Sequence, residues 1–179
     1  KHPTIGDAYA EILVQSPEML GIYIHGSAPE RILDQVSCGD VGIEKAVVVP
    51  KPLFPLMIAK LGEISSGKSY KSAWLSAWGA NRDLQGFLSR RCSKEFVSLY
   101  LEHHPDLLDR VSEPGLYLDF VPEVRLAERF HEFGLLPEEK RKKFVETVSN
   151  YALKGQDADA LGDEGIRSLF KDDEFEHLR

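Results

Sequence analysis

The sequence has 179 residues and a formal net charge of −7, with 42% hydrophobic and 28% charged residues. This length allows one domain, or two small ones, with a real hydrophobic core, and the composition is ordinary for a globular protein. The negative charge argues against general binding to nucleic acid or anionic lipid, because both need a basic surface. No apolar run approaches the roughly 18 residues expected of a membrane span.

Both the start of the chain and its cysteines predict a cytoplasmic setting. The first residues, KHPTIGDAYAEIL, lack the apolar core of a signal peptide. The two cysteines, Cys38 and Cys92, lie far apart and match neither a metal motif nor a disulfide framework. Because no methionine precedes Lys1, we expect the chain to be a fragment of a longer polypeptide.

Short helices are predicted along the first forty residues. Apolar residues at three- and four-residue spacing predict a helix over 5–14. Ser16-Pro17 and Ala28-Pro29 each begin another helix, since proline fits the first helical position and serine can cap it. The last of these helices should end before Gly39. Repeated short helices favour stacked helical hairpins over one long bundle.

The segment 41–61 has a different character. Its three consecutive valines, Val47 to Val49, favour a strand, but Pro50, Pro52 and Pro55 would interrupt any β-ladder. We therefore expect an extended connector and then a helix from about Pro52 to residue 61.

This segment is also the best candidate for a domain boundary. It separates an N-terminal helical subdomain at 1–46 from a helical-repeat-like domain at 47–179, and one continuous domain is the alternative.

The strongest helical pattern lies at 84–111, LQGFLSRRCSKEFVSLYLEHHPDLLDRV. Ser93 can cap a helix that begins at Lys94. That helix should end near His103, because Pro105 disfavours helical geometry at the residue before it and suits a new first turn. Helices this short bury little surface alone and need neighbours.

Three more helices are predicted at 68–78, at 122–133 and at 137–153. The whole pattern predicts an all-α fold of stacked short helical hairpins, irregular and α-solenoid-like, with a minor β element near 46–50.

One stretch matches the GxxxxGKS pattern of a phosphate-binding P-loop through Gly62, Gly67, Lys68 and Ser69. In such a loop successive amides surround the phosphates, the lysine reaches the outer ones and the serine holds magnesium. The loop requires a strand before it, whereas the residues before Gly62 follow three prolines and have a helical pattern. A helix-to-helix loop is therefore favoured, and a nucleotide-binding switch or NTPase is the alternative.

No catalytic constellation, cofactor or metal site is predicted. Two Glu-x-x-His pairs, Glu128 with His131 and Glu174 with His177, have the spacing of di-iron ligands in helical bundles. Solvated helix surface is the better interpretation. The basic run 140–143 can likewise pair with preceding glutamates at helical spacing.

Four residues are candidates for binding a partner protein: Trp74, Trp78, Arg90 and Arg91. Tryptophan and arginine are enriched among residues that dominate binding energy. Tryptophans four apart on a helix are more often part of the core, so both roles remain open for Trp74 and Trp78.

From residue 47 onward, several phrases resemble a known class of protein. VVVPKPLFPLM, FLSRRCSKEFVSLYLEHHPDLLDRV, PGLYLDFVPEVRLAERFHEFGLLPEE and DADALGDEGIRSLF are similar to the C-terminal helical region of large bacterial STAND-type NTPases linked to conflict with phage. The resemblance implies that an ATPase core and any effector lie upstream, and that this region serves sensing, packing or oligomer contacts. It does not cover residues 1–46.

The sequence thus predicts a non-catalytic recognition or regulatory module of a larger bacterial STAND-like defence ATPase, which binds a protein or a foreign ligand. Besides the P-loop alternative, a purely structural spacer or oligomerisation module stays open.

Overall fold

The computed structural model describes residues 16–65, 76–118 and 121–176, without the side chains of residues 65 and 76–78. The chain forms two compact units, Lys1–Tyr100 and Leu101–Arg179. The described elements are α1 (Pro17–Gly26), α2 (Pro29–Gln35), β1 (Val36–Cys38), β2 (Val47–Val49), a 3-10 helix (Lys51–Leu53), α3 (Phe54–Ser65), α4 (Ser76–Arg90), α5 (Lys94–His103), α6 (Asp106–Ser112), α7 (Pro122–Glu132), α8 (Glu138–Leu153), a 3-10 helix (Ala158–Gly162), α9 (Glu164–Ser168) and α10 (Asp172–Glu176).

The predicted mostly helical fold with a minor β element is confirmed. The predicted serine caps are present at the starts of two helices. The hydroxyl of Ser16 accepts from the amide of Met19 at 3.4 Å, and that of Ser93 accepts from the amide of Phe96 at 3.4 Å. The helix that follows Ser93 has the predicted bounds, Lys94–His103. The helices predicted at 5–14 and over most of 68–78 lie outside the described residues.

The helix after Ala28 ends at Gln35, before Gly39 as predicted, but the strand that follows it was not predicted. This strand, β1, pairs in parallel with β2 at Val36↔Val47, Ser37↔Val48 and Cys38↔Val49. This pairing joins residues on both sides of the predicted boundary at 46/47, whereas the two compact units meet at Tyr100 and Leu101. Local sequence patterns did not predict the pairing of β1 with β2, because the choice of a pairing partner depends on the tertiary structure.

The parallel strands are joined by a short connection, residues 39–46, where a crossover of a dozen or more residues is usual. Each strand has three residues and so rises only about 10 Å, which a short loop can retrace. The loop turns sharply at Gly39, Gly42 and Lys45, whose φ values are 81°, 72° and 64°. At Gly39 space is also limiting, since a Cβ there would lie 2.6 Å from the Oγ of Ser93.

The core of the first unit forms around α3, which packs against α1 and α4. The ring of Phe54 meets that of Phe96 from α5 edge-on, with centroids 5.0 Å apart. Lys60 donates to the carbonyl oxygen of His25 at 3.2 Å and so satisfies an end of α1. The fully buried large side chains of this unit are Leu20, Ile24, Ile32, Met57, Leu61, Ile64, Phe87, Leu88 and Phe96.

In the second unit α6 packs against both α7 and α8, and α9 lies against α7. Phe130 of α7 and Phe144 of α8 are completely buried. Because α6 spans one and a half to two turns, most of its stability comes from this packing and little from its own hydrogen bonds.

Two glycine substitutions in the 39–46 loop test the close approach to Ser93. Gly39→Ala should destabilise the protein by about 2–4 kcal/mol, because alanine meets both an unfavourable positive φ and the Ser93 side chain. Gly42→Ala is the matched control: it shares the positive φ but meets nothing within 4 Å, and should cost about 1 kcal/mol. Urea unfolding measures both, and equal losses would contradict the packing described here.

Candidate functional site

An open groove runs between α2 and α4 in the first unit. We call it the α2–α4 groove; its lining residues are Glu30, Leu33, Asp34, Asp83, Gly86, Phe87, Arg90 and Arg91. Glu30 and Asp34 lie one helical turn apart on α2 and therefore share a face. The spacing of Asp83 and Arg90 on α4 corresponds to about 10 Å along the helix axis.

The carboxyl ends of the two helices are fixed to each other by main-chain hydrogen bonds. Cys38, at the end of the strand that continues α2, donates its amide to the carbonyl of Arg91 at 2.8 Å. The amide of Ser93 in turn donates to the carbonyl of Cys38 at 2.8 Å. Both walls of the groove thus meet at a closed end that is held by main-chain hydrogen bonds.

The two predicted arginines lie at this closed end but have different surroundings. Arg90 is exposed, and its Nε donates to the carbonyl of Gly86 at 3.2 Å. Arg91 is half-buried, and its guanidinium reaches the carbonyl of Val36 at 3.4 Å. Arg91 therefore also supports the tertiary contact between α2 and α4, whereas the guanidinium of Arg90 faces the groove and solvent.

The groove carries charges of both signs over an apolar base. Leu33 and Phe87, at 8% and 2% exposure, are largely covered by the core beneath them. Sequence reasoning identified the arginines but missed the acidic side chains of Glu30, Asp34 and Asp83. The spacing of Glu30 and Asp34 signals a shared helix face, but only the fold shows which helix they oppose.

A second charged cluster, in the second unit, serves the fold instead. Arg141 is 3% exposed and donates to both carboxylate oxygens of Glu138 and of Glu174, at 2.7–2.8 Å, and to the carbonyl of Leu169 at 2.6 Å. The hydrogen bond to Glu138, and then that to Glu174, raise the pKa of Arg141. Since each charge is paired internally, the cluster joins α8 to α10 and offers no recognition site.

Most residues of the predicted basic run 140–143 form ion pairs within the fold. Arg141 pairs with Glu138 at the expected helical spacing. Lys140 and Lys143 also form ion pairs outside the helix, with Asp109 and Glu113. Asp109 lies in α6 and Glu113 directly follows α6. The basic run therefore joins α8 to a neighbouring element and also forms an ion pair within its own helix.

The glutamates of both Glu-x-x-His pairs are bound by arginines. The side chain of Glu128 is 9% exposed, and its carboxylate accepts a hydrogen bond from Arg125 at 2.9 Å. His131 is exposed. Burial raises the pKa of Glu128 despite that hydrogen bond. Glu174 is engaged by Arg141, and His177 lies outside the described residues. Across residues 16–65, 76–118 and 121–176, no group of three or more His, Cys, Asp or Glu residues could hold a metal ion.

The other predicted site residues are only partly described. Trp74, Gly67, Lys68 and Ser69 lie outside the described residues, and Trp78 is described only as part of the backbone of α4. Gly62 lies inside α3, which runs from Phe54 to Ser65.

The position of Gly62 bears on the P-loop alternative. The first half of the GxxxxGKS stretch is helical and its Ile64 is fully buried, whereas a phosphate loop leaves a strand with its amides turned toward the ligand. The described half of the motif therefore disfavours a nucleotide site.

Comparison of the chain with protein-family models, with curated proteins and with solved structures gives no match. The resemblance to STAND-type NTPases thus stays a prediction. Within the described segments, no helix combines the length and the apolar character needed to cross a membrane.

The structural role of Arg141 can be tested by its removal. Arg141→Ala should destabilise the second unit by about 1–3 kcal/mol, because it removes the buried partner of the Leu169 carbonyl and of the partly exposed Glu174. Lys142→Ala, at an exposed position next to it, should change stability by no more than about 0.5 kcal/mol. Similar losses in denaturant unfolding of the two variants would rule out the structural role.

The same cluster predicts a pH dependence. The Arg141 hydrogen bond lowers the pKa of Glu174 to about 2 from its ordinary 4.5. A lowered pKa stabilises the folded state above pH 4.5, and that stabilisation is lost as the pH falls toward 2. The melting temperature of Glu174→Gln should therefore fall less steeply than wild type between pH 5 and pH 2. Glu176→Gln, in the same helix, is the control that should keep the wild-type slope.

Proposed function

We propose that this chain is a non-catalytic recognition module that binds an extended segment of a partner protein in the α2–α4 groove. The observation that carries the proposal is one open groove with three carboxylates and two guanidinium groups around Leu33 and Phe87. Leu33 and Phe87 leave little apolar surface exposed, so the charged groups are the main feature that a partner would meet. Charged groups at a protein interface supply orientation and association rate.

The mixture of charges selects the kind of partner. A nucleic acid would bring phosphates against Glu30, Asp34 and Asp83, and the protein as a whole has a net charge of −7. A peptide segment can present both basic and acidic side chains along its length. The best match is therefore a segment with a basic residue opposite the carboxylates and an acidic residue opposite Arg90 and Arg91.

The resemblance from residue 47 onward supports a place for this module in a larger bacterial STAND-like defence ATPase. In that setting the groove would receive a protein or foreign ligand, and any catalysis would belong to other parts of the parent protein.

Selection of random linear peptides on the purified chain tests the groove without knowledge of the natural partner. The enriched peptides should bind Arg90→Ala at least about tenfold more weakly than wild type, since one paired charge is lost from the site. Arg31→Ala is the matched control, because Arg31 is an exposed arginine on α2 that is not among the groove residues. Calorimetry gives the affinities, and circular dichroism confirms that both variants fold.

Two results would contradict the proposal. Enriched peptides that bind Arg90→Ala and Arg31→Ala equally well would place binding elsewhere. No enrichment at all would favour a structural spacer.

A separate titration examines the nucleotide alternative. Addition of Mg-ATP should give no binding heat if Gly62 to Ser69 is a helix-to-helix connection. Heat that disappears in Lys68→Ala would favour a nucleotide-binding switch over the proposed module.

A further inference from the structure

The fold brings together the two cysteines that the sequence separates by more than fifty positions. Cys38 ends β1, and Cys92 lies between α4 and α5, yet the two residues are direct partners in an isolated parallel β-bridge. Both are buried thiols with 0% exposure. They are the only cysteines in the sequence.

The bridge brings the backbones of the two cysteines to the separation at which disulfides form. The amide and the carbonyl of Cys38 bond to Arg91 and Ser93, the two residues that flank Cys92, each at 2.8 Å. Neighbouring strands lie about 4.8 Å apart, and paired residues project their side chains from the same face. Disulfides form between Cα atoms about 4.4–6.8 Å apart, so the bridge places both cysteines within that range.

We propose that Cys38 and Cys92 are a redox-modifiable pair that closes to an intramolecular disulfide in the presence of a low-molecular-weight disulfide such as oxidised glutathione. One cysteine thiolate attacks the glutathione disulfide, which forms a mixed disulfide and releases one reduced glutathione. The second cysteine then attacks the mixed disulfide and releases another. The protein loses two protons and two electrons, and oxidised glutathione is reduced to two thiols.

Access to the thiols requires a local opening. β1 has three residues and its link to Cys92 is an isolated bridge, so this contact can open without unfolding of the helical core. The mixed disulfide forms in the open state. Re-formation of the bridge then brings the second cysteine against it.

The disulfide would join β1 to the connection between α4 and α5. It would close a covalent loop over 38–92 and restrict the unfolded chain, which is the main way in which disulfides stabilise proteins in the chain-entropy model. It would also fix the closed end of the α2–α4 groove, although disulfide formation does not depend on what the groove binds.

The test is incubation of the purified, reduced chain in a glutathione buffer rich in the oxidised form. The number of thiols should fall from two to zero per chain, and peptide mapping should recover one species that links Cys38 to Cys92. The melting temperature should rise by on the order of 5–15 °C, and dithiothreitol should reverse the rise. Cys38→Ala and Cys92→Ala should show neither the cross-linked peptide nor the rise.

As a control, urea-unfolded protein is incubated in the same buffer, to establish that oxidised glutathione can oxidise both thiols. If the unfolded chain is oxidised and the folded chain keeps two thiols, the proposal is wrong. Disulfides that join two chains, with no internal link between Cys38 and Cys92, would equally overturn it.

Discussion

The first unit depends on the short main-chain contact at Cys38. This residue pairs with Val49 on one side and with Cys92 on the other, so β1 lies between two segments that are distant in sequence. β1 directly continues α2, and Cys92 lies two residues after the end of α4. Two hydrogen bonds of 2.8 Å therefore decide where the two helices meet, and with that the position of the groove between them. Gly39 is needed beside this contact because Ser93 occupies the space of a side chain.

The two units use charge in different ways. In the second unit, carboxylates and guanidinium groups are paired with each other and hold helices together, as at Arg141. In the first unit, five charged side chains of both signs surround one open groove. Paired charges such as those at Arg141 hold helices together, whereas charged groups that line an open groove can also orient a partner. The second unit also has a groove with charges of both signs, lined by Arg167, Phe170, Lys171, Asp172, Phe175 and Glu176. Our proposal places recognition in the α2–α4 groove because Arg90 and Arg91, which the sequence predicts as partner-binding residues, line it.

Much of the helical framework was predictable from local signals. Ser16 and Ser93 cap helices as expected, and α8 spans Glu138–Leu153, within one residue of the predicted 137–153. The partner of β2 was not predictable, because pairing over this distance leaves no local pattern. For the same reason the cysteines looked unrelated in sequence. Arg90 and Arg91 were identified by residue type alone, but the opposing carboxylates of α2 required the fold.

Amide hydrogen exchange of the folded chain tests the central contact most directly. The account predicts slow exchange at the amides of Cys38 and Ser93, because both donate to main-chain carbonyls that fix the groove walls, although local opening of this contact makes them exchange faster than amides in the middle of α3. The amide of Gly42, in the exposed 39–46 loop, should exchange much faster. If Cys38 and Ser93 exchange at the rate of Gly42, the contact does not hold α2 to α4, and the groove is not a fixed feature of the protein.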